Sequence, residues 1–391
     1  MNIQRIKSLK KAMAEANLDA LVCRLPENVL FLSGYWPMLG AAFIVLPLEG
    51  KTVCVFPECY EKETVNDLWD AERVTYPFGF LDSGDPYEKI AIELKKISHG
   101  QGWKRIGYEG GFESVATPWN AAEPMVPAAN TRKLLEAIQG PNSLVDATDL
   151  LNLQRSCKTP YEIEKLRKAN EIAAFGMKTF CEKVDMGKSG VELAADIEHA
   201  VMTYGTGYKD ACRVRGFAQV ATGAAETAVG CRPNEISTCR RLKNQDIALL
   251  ELAVVADGYW ADRTCVHVAG AATSEQLRIF EIVKSAQAAV IKKIRAGVTA
   301  GQADEAARRI IREAGFGKQF PHITGHGIGF RYHEPIPIIC PNSDQVLEAG
   351  MIHTVEPGIY FPQMGGIRVE DDIMVTKTGC EILGPFEQYL C

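Results

Sequence analysis

Residues 247–268 read IALLELAVVADGYWADRTCVHV, two β-rich runs on either side of Asp257-Gly258. An Asp-Gly pair between such runs predicts a β-hairpin with a two-residue turn. Counting outward from this turn pairs Glu251 with Thr264. It also makes Asp262 a diagonal neighbour of Glu251 on the same face, about 7 to 8 Å away at the backbone. The hairpin therefore presents two carboxylates together, unless this is only the exposed polar face of an edge hairpin.

A second segment, PHITGHGIGFRYHEP at 321–335, is rich in histidine and glycine. Its histidines, His322, His326 and His333, are separated by four and seven positions, and four of the seven histidines of the chain lie between 322 and 353. The intervening glycines allow the backbone to approach a ligand closely. This density indicates a functional segment, although any single one of these histidines could be a purely structural imidazole.

Two short runs nearer the C-terminus add further charged side chains. Glu356 follows an apolar run and precedes Pro357-Gly358, so we expect it at the end of a strand. Arg368 and Glu370 are two positions apart in IRVEDD, and their side chains therefore share one face, with Asp371 on the other. Arg368 could hold Glu370 ionised, bind a substrate carboxylate, or form a surface salt bridge.

These segments together predict an oxygen-rich site for two divalent metal ions, whose ligands would be Glu251, Asp262, His326, Glu356 and Glu370. Four carboxylates and one imidazole form a hard ligand set, which favours manganese, with cobalt, iron or zinc as alternatives, over copper. Two such ions would bridge a hydroxide, lower its pKa and polarise a carbonyl group. Glu356 could then carry the proton while His333 or His322 stabilises the oxyanion. We therefore expect hydrolysis of an amide or a similar C–N bond.

Length and local patterns divide the chain into two predicted domains. At 391 residues it is too long for one ordinary core. Residues 1–155 alternate short apolar runs with a helical stretch over Tyr87–Ile97, which predicts an α/β domain with a mixed sheet. The strands expected there are Ala20–Cys23, Val29–Leu32, Ala42–Leu46, Val53–Phe56 and Ile106–Tyr108.

Residues 156–391 contain the same order of signals twice. Thr159-Pro160-Tyr161-Glu162 and Thr273-Ser274-Glu275-Gln276 each combine a helix N-cap with a residue able to close a capping box. Each predicted long helix ends at a glycine, Gly187 or Gly297, and is followed by a second helix and by strand-like runs. Two similar halves predict an internally duplicated α+β domain with a ligand site at the seam.

Composition excludes several classes of partner. The net charge of −6 and the lack of a long Lys/Arg run argue against a nucleic-acid surface. No stretch approaches the roughly 18 apolar residues of a membrane span, and residues 1–23 indicate an amphipathic helix rather than a signal peptide. Twelve cysteines without a CxxC pair or a compact framework indicate reduced thiols and a cytoplasmic protein.

The hairpin and the TGHGIGFRYHEP, HTVEPG and IRVEDD motifs resemble those of the pita-bread metallopeptidases, which include Xaa-Pro aminopeptidase, prolidase, methionine aminopeptidase and the metal-free creatinase. The resemblance covers nearly the whole chain. It implies a creatinase-like N-terminal domain over 1–155 and a pita-bread catalytic domain with a pseudo-two-fold duplication over 156–391, as in the proline-specific two-domain branch. It also implies a homodimer.

The same resemblance implies roles for individual residues. Glu356 would be both a metal ligand and the proton shuttle, and the other matching ligands would be Asp262, His326 and Glu370. His322, His333 and Arg368 would lie around the metal ions or contact the substrate.

Two positions depart from the family's pattern. Glu251 stands where the family usually has aspartate, so its carboxylate is carried on a stem one methylene longer. In VATGAAETAVGCRP, Gly230 comes seven residues after Gly223, where the proline-specific members carry a histidine that contacts substrate and assists proton transfer. The absence of that histidine argues against proline specificity and against peptide cleavage.

The sequence thus predicts a dinuclear metallohydrolase of Xaa-Pro dipeptides or short peptides, with two main alternatives. One is a metal-free, creatinase-like hydrolase of a small amidino or cyclic nitrogen compound. Four facing carboxylates disfavour it because they would repel one another without a cation. The other is a non-catalytic binding protein. A nucleophilic thiol at Cys231 is also disfavoured, because no base is adjacent to it in sequence.

Overall fold

The structure is a computed structural model that describes residues 3–37, 40–58, 69, 71–78, 84–111, 135–136, 143–229, 237–384 and 386–390. The chain divides into two compact units, Met1–Arg155 and Ser156–Cys391. Within the described ranges, no helix is both long enough and apolar enough to cross a membrane.

The N-terminal unit is built around one mixed sheet. The described strands are β1 (Ala20–Cys23), β2 (Phe43–Pro47), β3 (Val53–Pro57), β4 (Glu72–Tyr76), β5 (Ile106–Tyr108) and β6 (Leu144–Asp146). The described helices are α1 (Ile3–Glu15), α2 (Pro26–Ser33), α3 (Pro86–Ser98) and α4 (Thr148–Ser156). The strand order is β4-β3-β2-β1-β5-β6, with β1 antiparallel to β2 and parallel to β5. This arrangement confirms the predicted α/β class.

One predicted strand of this unit is wrong, whereas β1, β2, β3, β5 and α3 are confirmed to within one residue at each end. Val29–Leu32 lies in α2, which begins at Pro26 and ends before Gly34, where φ is 80° and the N–H donates to the Leu30 carbonyl. Residues 28–33 are all buried. A short run that is apolar on every side fits a buried helix as well as a buried strand, so periodicity alone cannot separate the two.

The first half of the C-terminal unit contains two long helices and a three-stranded sheet. Its helices are α5 (Pro160–Lys183), α6 (Gly190–Gly205) and the short α7 (Gly223–Thr227), with a 3-10 turn at Tyr208–Asp210. Its strands are β7 (Val214–Thr222), β8 (Ile247–Ala256) and β9 (Tyr259–Val268), which pair in that order. Thr159 and Glu162 close the capping box predicted at the start of α5.

The second half repeats this order of two helices followed by strands. Its helices are α8 (Ser274–Lys293) and α9 (Ala300–Glu313), with a 3-10 turn at Gly317–Gln319. Its strands are β10 (Gly325–Gly327), β11 (Glu334–Ile339), β12 (Ile352–Val355), β13 (Gly358–Phe361), β14 (Gly365–Arg368), β15 (Asp371–Val375) and β16 (Cys380–Ile382). Five of them form the sheet β11-β10-β12-β15-β16, and β13 pairs with β14. Thr273 and Gln276 close the second predicted capping box, and the duplicated α+β class is confirmed.

The first helix of each half ends earlier than predicted. α5 ends at Lys183 and α8 at Lys293, because Val184 and Ile294 already have extended backbone conformations. Gly187 and Gly297 lie in the turns that follow, with φ of 84° and 88°. Glycine adopts such left-handed angles without a steric cost, so it marks the turn rather than the last helical residue.

The register of the β8–β9 hairpin agrees with the prediction. Glu251 pairs with Thr264, and Asp262 is a diagonal neighbour of Glu251. Asp257 and Gly258 both have positive φ, 51° and 88°, as a two-residue hairpin turn of type I′ requires. The turn therefore fixes which side chains of the two strands share a face.

The two faces of this hairpin pack into different cores of the C-terminal unit. On one face, Leu250 and Leu252 join the core formed with α5 and α6. On the other face, Leu249 and Val266 join the core formed with α8, α9 and the strands of the second half. Because side chains alternate along a strand, Glu251 shares its face with Leu249 and points toward the second half.

Candidate metal centre

Several elements of the C-terminal unit bring the five predicted metal ligands together. These are Glu251 on β8, Asp262 on β9, His326 on β10, Glu356 directly after β12, and Glu370 between β14 and β15. The backbone N–H of Glu370 donates to the Thr264 carbonyl at 3.1 Å, which ties β9 to the connection between β14 and β15. The group therefore forms where the two halves of the unit meet.

Polar atoms of these residues lie close enough to share bound ions. Single ligand atoms of Asp262, His326 and His333 lie within 4.8 Å of one another, and so do those of His326, Glu356 and Glu370. His326 belongs to both groups. Its Nε2 lies 3.4 Å from Asp262 Oδ2 and 3.8 Å from Glu356 Oε1.

Backbone contacts orient the His326 ring. Its Nδ1 lies 2.9 Å from the Gly327 carbonyl oxygen, which can only accept a hydrogen bond, so Nδ1 is the donor. In the neutral imidazole, Nε2 then keeps a lone pair that faces two carboxylates. A cation between these groups would satisfy all three, and metal-binding histidines are usually oriented in this way.

The Glu370 carboxylate also fits a bound cation. Its Oε2 accepts a 2.6 Å hydrogen bond from the Thr264 hydroxyl. Its Oε1 is buried and has no hydrogen-bond partner in the described part of the chain. Buried polar atoms are nearly always paired, because taking them out of water is costly. A divalent ion would supply the partner that this oxygen lacks.

Burial and mutual repulsion disfavour the ionised form of these carboxylates. Burial, followed by the charges of Glu251 and Glu356, raises the pKa of Asp262 well above its usual range. Burial, followed by the charges of Asp262 and Glu356, does the same to the pKa of Glu370. Burial raises the pKa of Glu356 as well. A bound cation favours the ionised form and reverses these effects, so the donor set fits hard divalent ions.

Glu251 is held from two sides. The Arg368 guanidinium donates to its Oε2. The Tyr332 hydroxyl lies 2.8 Å from its Oε1 and 3.0 Å from Asp262 Oδ1. Arg368 also donates to the Thr264 hydroxyl at 3.1 Å. The structure therefore ties Glu251 to Asp262 through one tyrosine, and to Arg368 directly.

His322 lies at the end of a hydrogen-bond chain. Its Nδ1 donates to the Ile323 carbonyl at 2.7 Å, and its Nε2 lies 3.0 Å from the Tyr360 hydroxyl. That hydroxyl in turn accepts a hydrogen bond from Arg368 at 3.2 Å. Burial, followed by the charge of Arg368, lowers the pKa of His322 to about 3. His322 is therefore a neutral imidazole that reaches the ligand group through Tyr360 and Arg368.

His333 lies directly beside the ligand group. Its ring centroid is 4.2 Å from that of His326. Burial, followed by the charge of His326, lowers the pKa of His333 to about 2. Its Nδ1 is buried and has no hydrogen-bond partner among the residues that the structure describes. This neutral ring can hydrogen-bond a group that enters the centre.

A buried polar network holds β9 in place behind the ligands. Asp372 Oδ2 accepts hydrogen bonds from the Asp262 backbone N–H at 3.2 Å and from the Asn170 side chain at 2.8 Å. Arg263, the next residue along β9, donates to Asp371. Because Asn170 belongs to α5 and both aspartates to β15, these bonds fix the strand that carries Asp262 relative to both halves.

Three hydroxyl groups of the centre are absent from the set of residues predicted from sequence: those of Tyr332, Thr264 and Tyr360. A signal existed for two of them. Tyr332 directly precedes His333 in the histidine-rich segment, and Thr264 is the predicted strand partner of Glu251. Their hydrogen bonds depend on side-chain directions in three dimensions, which the local sequence does not specify.

Gly230 and Cys231, which the sequence analysis singled out, lie outside the described residues. The replacement of the family's histidine by Gly230 therefore stays a prediction from the sequence.

Comparisons with known proteins match both units. The sequence pattern of metallopeptidase family M24 matches residues 164–377, and that of the creatinase/prolidase N-terminal domain matches residues 5–157. A relative described as putative dipeptidase YkvY of Bacillus subtilis is 30% identical over 99% of both chains. The Xaa-Pro dipeptidase of Pyrococcus horikoshii is 28% identical over 99% of this chain and 98% of its own.

Solved structures show the same fold over nearly the whole length. The crystal structure of the prolidase from Pyrococcus horikoshii OT3 has a TM-score of 0.80 and 27% identity, covering 99% of this chain and 100% of that one. The Xaa-Pro dipeptidase from Bacillus anthracis has a TM-score of 0.80 and 25% identity, covering 100% and 99%. The predicted family resemblance and two-domain fold are therefore confirmed.

Proposed function

We propose that this chain, which belongs to metallopeptidase family M24, hydrolyses Xaa-Pro dipeptides or short peptides that begin with Xaa-Pro, with the help of divalent metal ions. The observation that carries the proposal is the buried Oε1 of Glu370, unpartnered among the described residues, inside a cluster of carboxylates around His326. The substrate class follows from relatives named Xaa-Pro dipeptidase, which match over nearly their whole length.

The residues that would hold two ions are Glu251, Asp262, His326, Glu356 and Glu370. Manganese is the first metal to test, followed by cobalt, iron and zinc, because the donor set is mostly hard oxygen. When bound, the ions supply an activated water and polarise the scissile carbonyl group.

Glu356 is placed to move the proton. Its side chain is 14% exposed, against 1% for that of Asp262, so a substrate can reach it more readily. Its Oε1 accepts a hydrogen bond from the Thr354 hydroxyl at 3.2 Å, which limits the orientations of the carboxylate. A carboxylate held in this way can take a proton from the attacking water and deliver it to the leaving nitrogen.

His333, His322 and Arg368 would complete the site around the substrate. His333 is a neutral ring beside His326, and it can donate a hydrogen bond to the oxygen on which negative charge develops. His322 is the alternative donor, although it would first have to release Tyr360 or the Ile323 carbonyl. Arg368 would bind a substrate carboxylate while its guanidinium also donates to Glu251.

We also propose that the protein is a homodimer, as the family resemblance implies, and that it is cytoplasmic, as twelve cysteines without a disulfide framework indicate. Size-exclusion chromatography with light scattering would test the dimer: a mass of two chains is expected, and a single-chain mass at micromolar concentration would contradict it. Fractionation of the producing cells would test the compartment.

The experiment that tests the hydrolytic function is a dipeptide panel that compares Xaa-Pro with Xaa-Ala substrates, using manganese-loaded protein. We expect cleavage of the Xaa-Pro members, loss of activity after treatment with a tight chelator, and recovery when manganese is returned. No cleavage of any dipeptide would contradict the proposal, and activity that survives chelation would indicate metal-free chemistry. Equal cleavage of both series would overturn the Xaa-Pro specificity but support the hydrolytic mechanism.

A further inference from the structure

Tyr332 connects two of the carboxylates that the proposed function requires. We infer that Tyr332 is a positioning residue that holds Glu251 and Asp262 at a fixed spacing, and that the centre needs it because residue 251 is glutamate. The inference rests on the proposed function, since it concerns binding of the second metal ion at that same site.

The hydroxyl of Tyr332 lies between the two carboxylates. Its oxygen is 2.8 Å from Glu251 Oε1 and 3.0 Å from Asp262 Oδ1. A phenol carries one hydrogen, so the two carboxylates share a single donor. The shared hydroxyl keeps one oxygen of each carboxylate within hydrogen-bond distance of the same point. Each carboxylate oxygen has two lone pairs, and a hydrogen bond therefore leaves one available for a metal ion.

The Tyr332 ring is itself fixed by its surroundings. The residue is 8% exposed. Its ring centroid lies 4.5 Å from that of His333 and 5.9 Å from that of Trp260. The Trp260 backbone N–H donates to the Gly329 carbonyl at 2.8 Å, which ties the hairpin to the segment that carries Tyr332. The hydroxyl therefore approaches the carboxylates from a rigid support.

Glu251 needs a second restraint because its side chain has one more rotatable bond than aspartate, and that bond must be ordered before the carboxylate can bind a metal. The Arg368 guanidinium donates to Oε2. Tyr332 holds Oε1. The two contacts together direct the longer side chain toward Asp262.

The alternative is that Tyr332 has only a packing role in the core. Phenylalanine keeps the ring and its packing against Trp260 and His333, and it removes only the hydroxyl. Tyr332→Phe therefore distinguishes the positioning role of Tyr332 from the packing role. Tyr259→Phe is the matched control, because Tyr259 is a buried tyrosine of the same hairpin whose ring packs against Phe330, with centroids 5.5 Å apart.

The test is a manganese titration of the full-length protein. Calorimetry measures the binding affinity, and electron paramagnetic resonance detects the signal of coupled ion pairs. The wild-type protein and the Tyr259→Phe variant are expected to bind two ions per chain. In Tyr332→Phe we expect the second ion to bind about tenfold more weakly, with loss of the coupled-pair signal. Glu251→Asp combined with Tyr332→Phe is expected to regain most of that affinity, because the shorter side chain no longer needs the restraint.

The outcomes distinguish this inference from the proposed function. If the wild-type protein binds no manganese, the proposed function fails, and the inference fails with it. If the wild type binds two ions and Tyr332→Phe binds them with unchanged or higher affinity, the inference alone is overturned. It is also overturned if Glu251→Asp gives no recovery in the Tyr332→Phe background, since the effect would then not depend on the length of residue 251.

Discussion

Glu370 has one side-chain oxygen with a donor and one without. Oε2 accepts from Thr264, while Oε1 is buried and has no partner within the described ranges. His326 presents the complementary case, because its Nε2 faces the carboxylates of Asp262 and Glu356. A single bound cation would satisfy both atoms, because it would supply a partner for Glu370 Oε1 and would lie between His326 Nε2 and the carboxylates that it faces. This pairing argues for metal binding more strongly than the number of acidic residues does.

Glu370→Gln should therefore raise the stability of the metal-free protein and reduce the stabilisation that added metal provides. In chelated protein, we expect the variant to melt a few degrees higher than the wild type, because one of several mutually repelling buried carboxylates is gone. On addition of manganese, the wild type should gain stability by ligand binding and the variant should gain much less. Thermal unfolding monitored by circular dichroism measures both effects.

Glu348→Gln is the matched control, since Glu348 is exposed and lies outside the ligand group. It should behave as the wild type in both conditions. A Glu370→Gln variant that melts lower than the wild type in chelator, yet keeps the full response to manganese, would contradict the assignment of Glu370 as a ligand.

At the scale of single elements, the hairpin and α2 show what local sequence can and cannot specify. The Asp257-Gly258 turn sets the register of β8 and β9 by itself, so the shared face of Glu251 and Asp262 is predictable. The start of α2 depends on Glu109, a residue distant in sequence. Its carboxylate accepts hydrogen bonds from the Leu25 backbone N–H and the Asn28 side chain, both at 2.9 Å. No pattern within residues 26–33 reveals that contact.

The same contrast holds within the candidate site. The proposed ligands could be named because each lies in a short motif, whereas Tyr332 and Tyr360 act through contacts between different elements of the fold. Tyr332 bonds to Glu251 across 81 positions and to Asp262 across 70. The direction of a side chain over such a separation follows from packing, which a single sequence does not display.

β9 depends on a buried ion pair that can be tested. Arg263 is fully buried and donates to Asp371, to Asn170 and to the Gly384 carbonyl, so it links β9 with β15 and α5. Arg263→Met should destabilise the protein by about 3–5 kcal/mol, because it leaves Asp371 charged and without its cation. Urea unfolding would measure the loss.

The control for this prediction is Arg278→Met. Arg278 pairs with Glu275 on the surface, where the two side chains are 51% and 54% exposed, and solvent screening leaves such pairs little effect on stability. Equal losses in the two variants would mean that the buried pair has no special role in holding β9.

At the scale of the whole molecule, the predicted metal ligands all lie in Ser156–Cys391, whereas Glu109 in Met1–Arg155 is a buried carboxylate with a structural role. Burial raises the pKa of Glu109 to about 7, although hydrogen bonds from Arg24, Asn28 and Leu25 oppose that rise. Glu109 should therefore influence stability through its protonation, and Glu109→Gln isolates that contribution.

The sign of the pH effect follows from the raised pKa. Glu109 favours the folded state most when it is protonated, below the unfolded pKa of about 4.3. Its contribution is lost as pH rises through the folded pKa, by up to about 3 kcal/mol. Relative to Glu109→Gln, the wild type should therefore lose stability between about pH 4 and about pH 7. A difference between the two proteins that stays constant over this range, measured by urea unfolding, would contradict the prediction.

The two-domain layout was predictable because length, capping signals and repeated helix pairs all lie in the sequence, and the similarity to solved prolidases extends over 99% of the chain. Glu251 and Gly230 are the two positions at which the sequence is predicted to depart from the family pattern. Glu251 lies within the described site, held by Arg368 and Tyr332. These contacts favour a role for Glu251 as a metal ligand with a longer side chain, and they argue against the loss of this ligand.

The proposed ligand group is expected to bind a pair of divalent ions. The most direct measurement is elemental analysis of the full-length protein after loading with manganese and removal of unbound metal. We expect about two equivalents per chain. A protein that retains no metal under these conditions would contradict the claim.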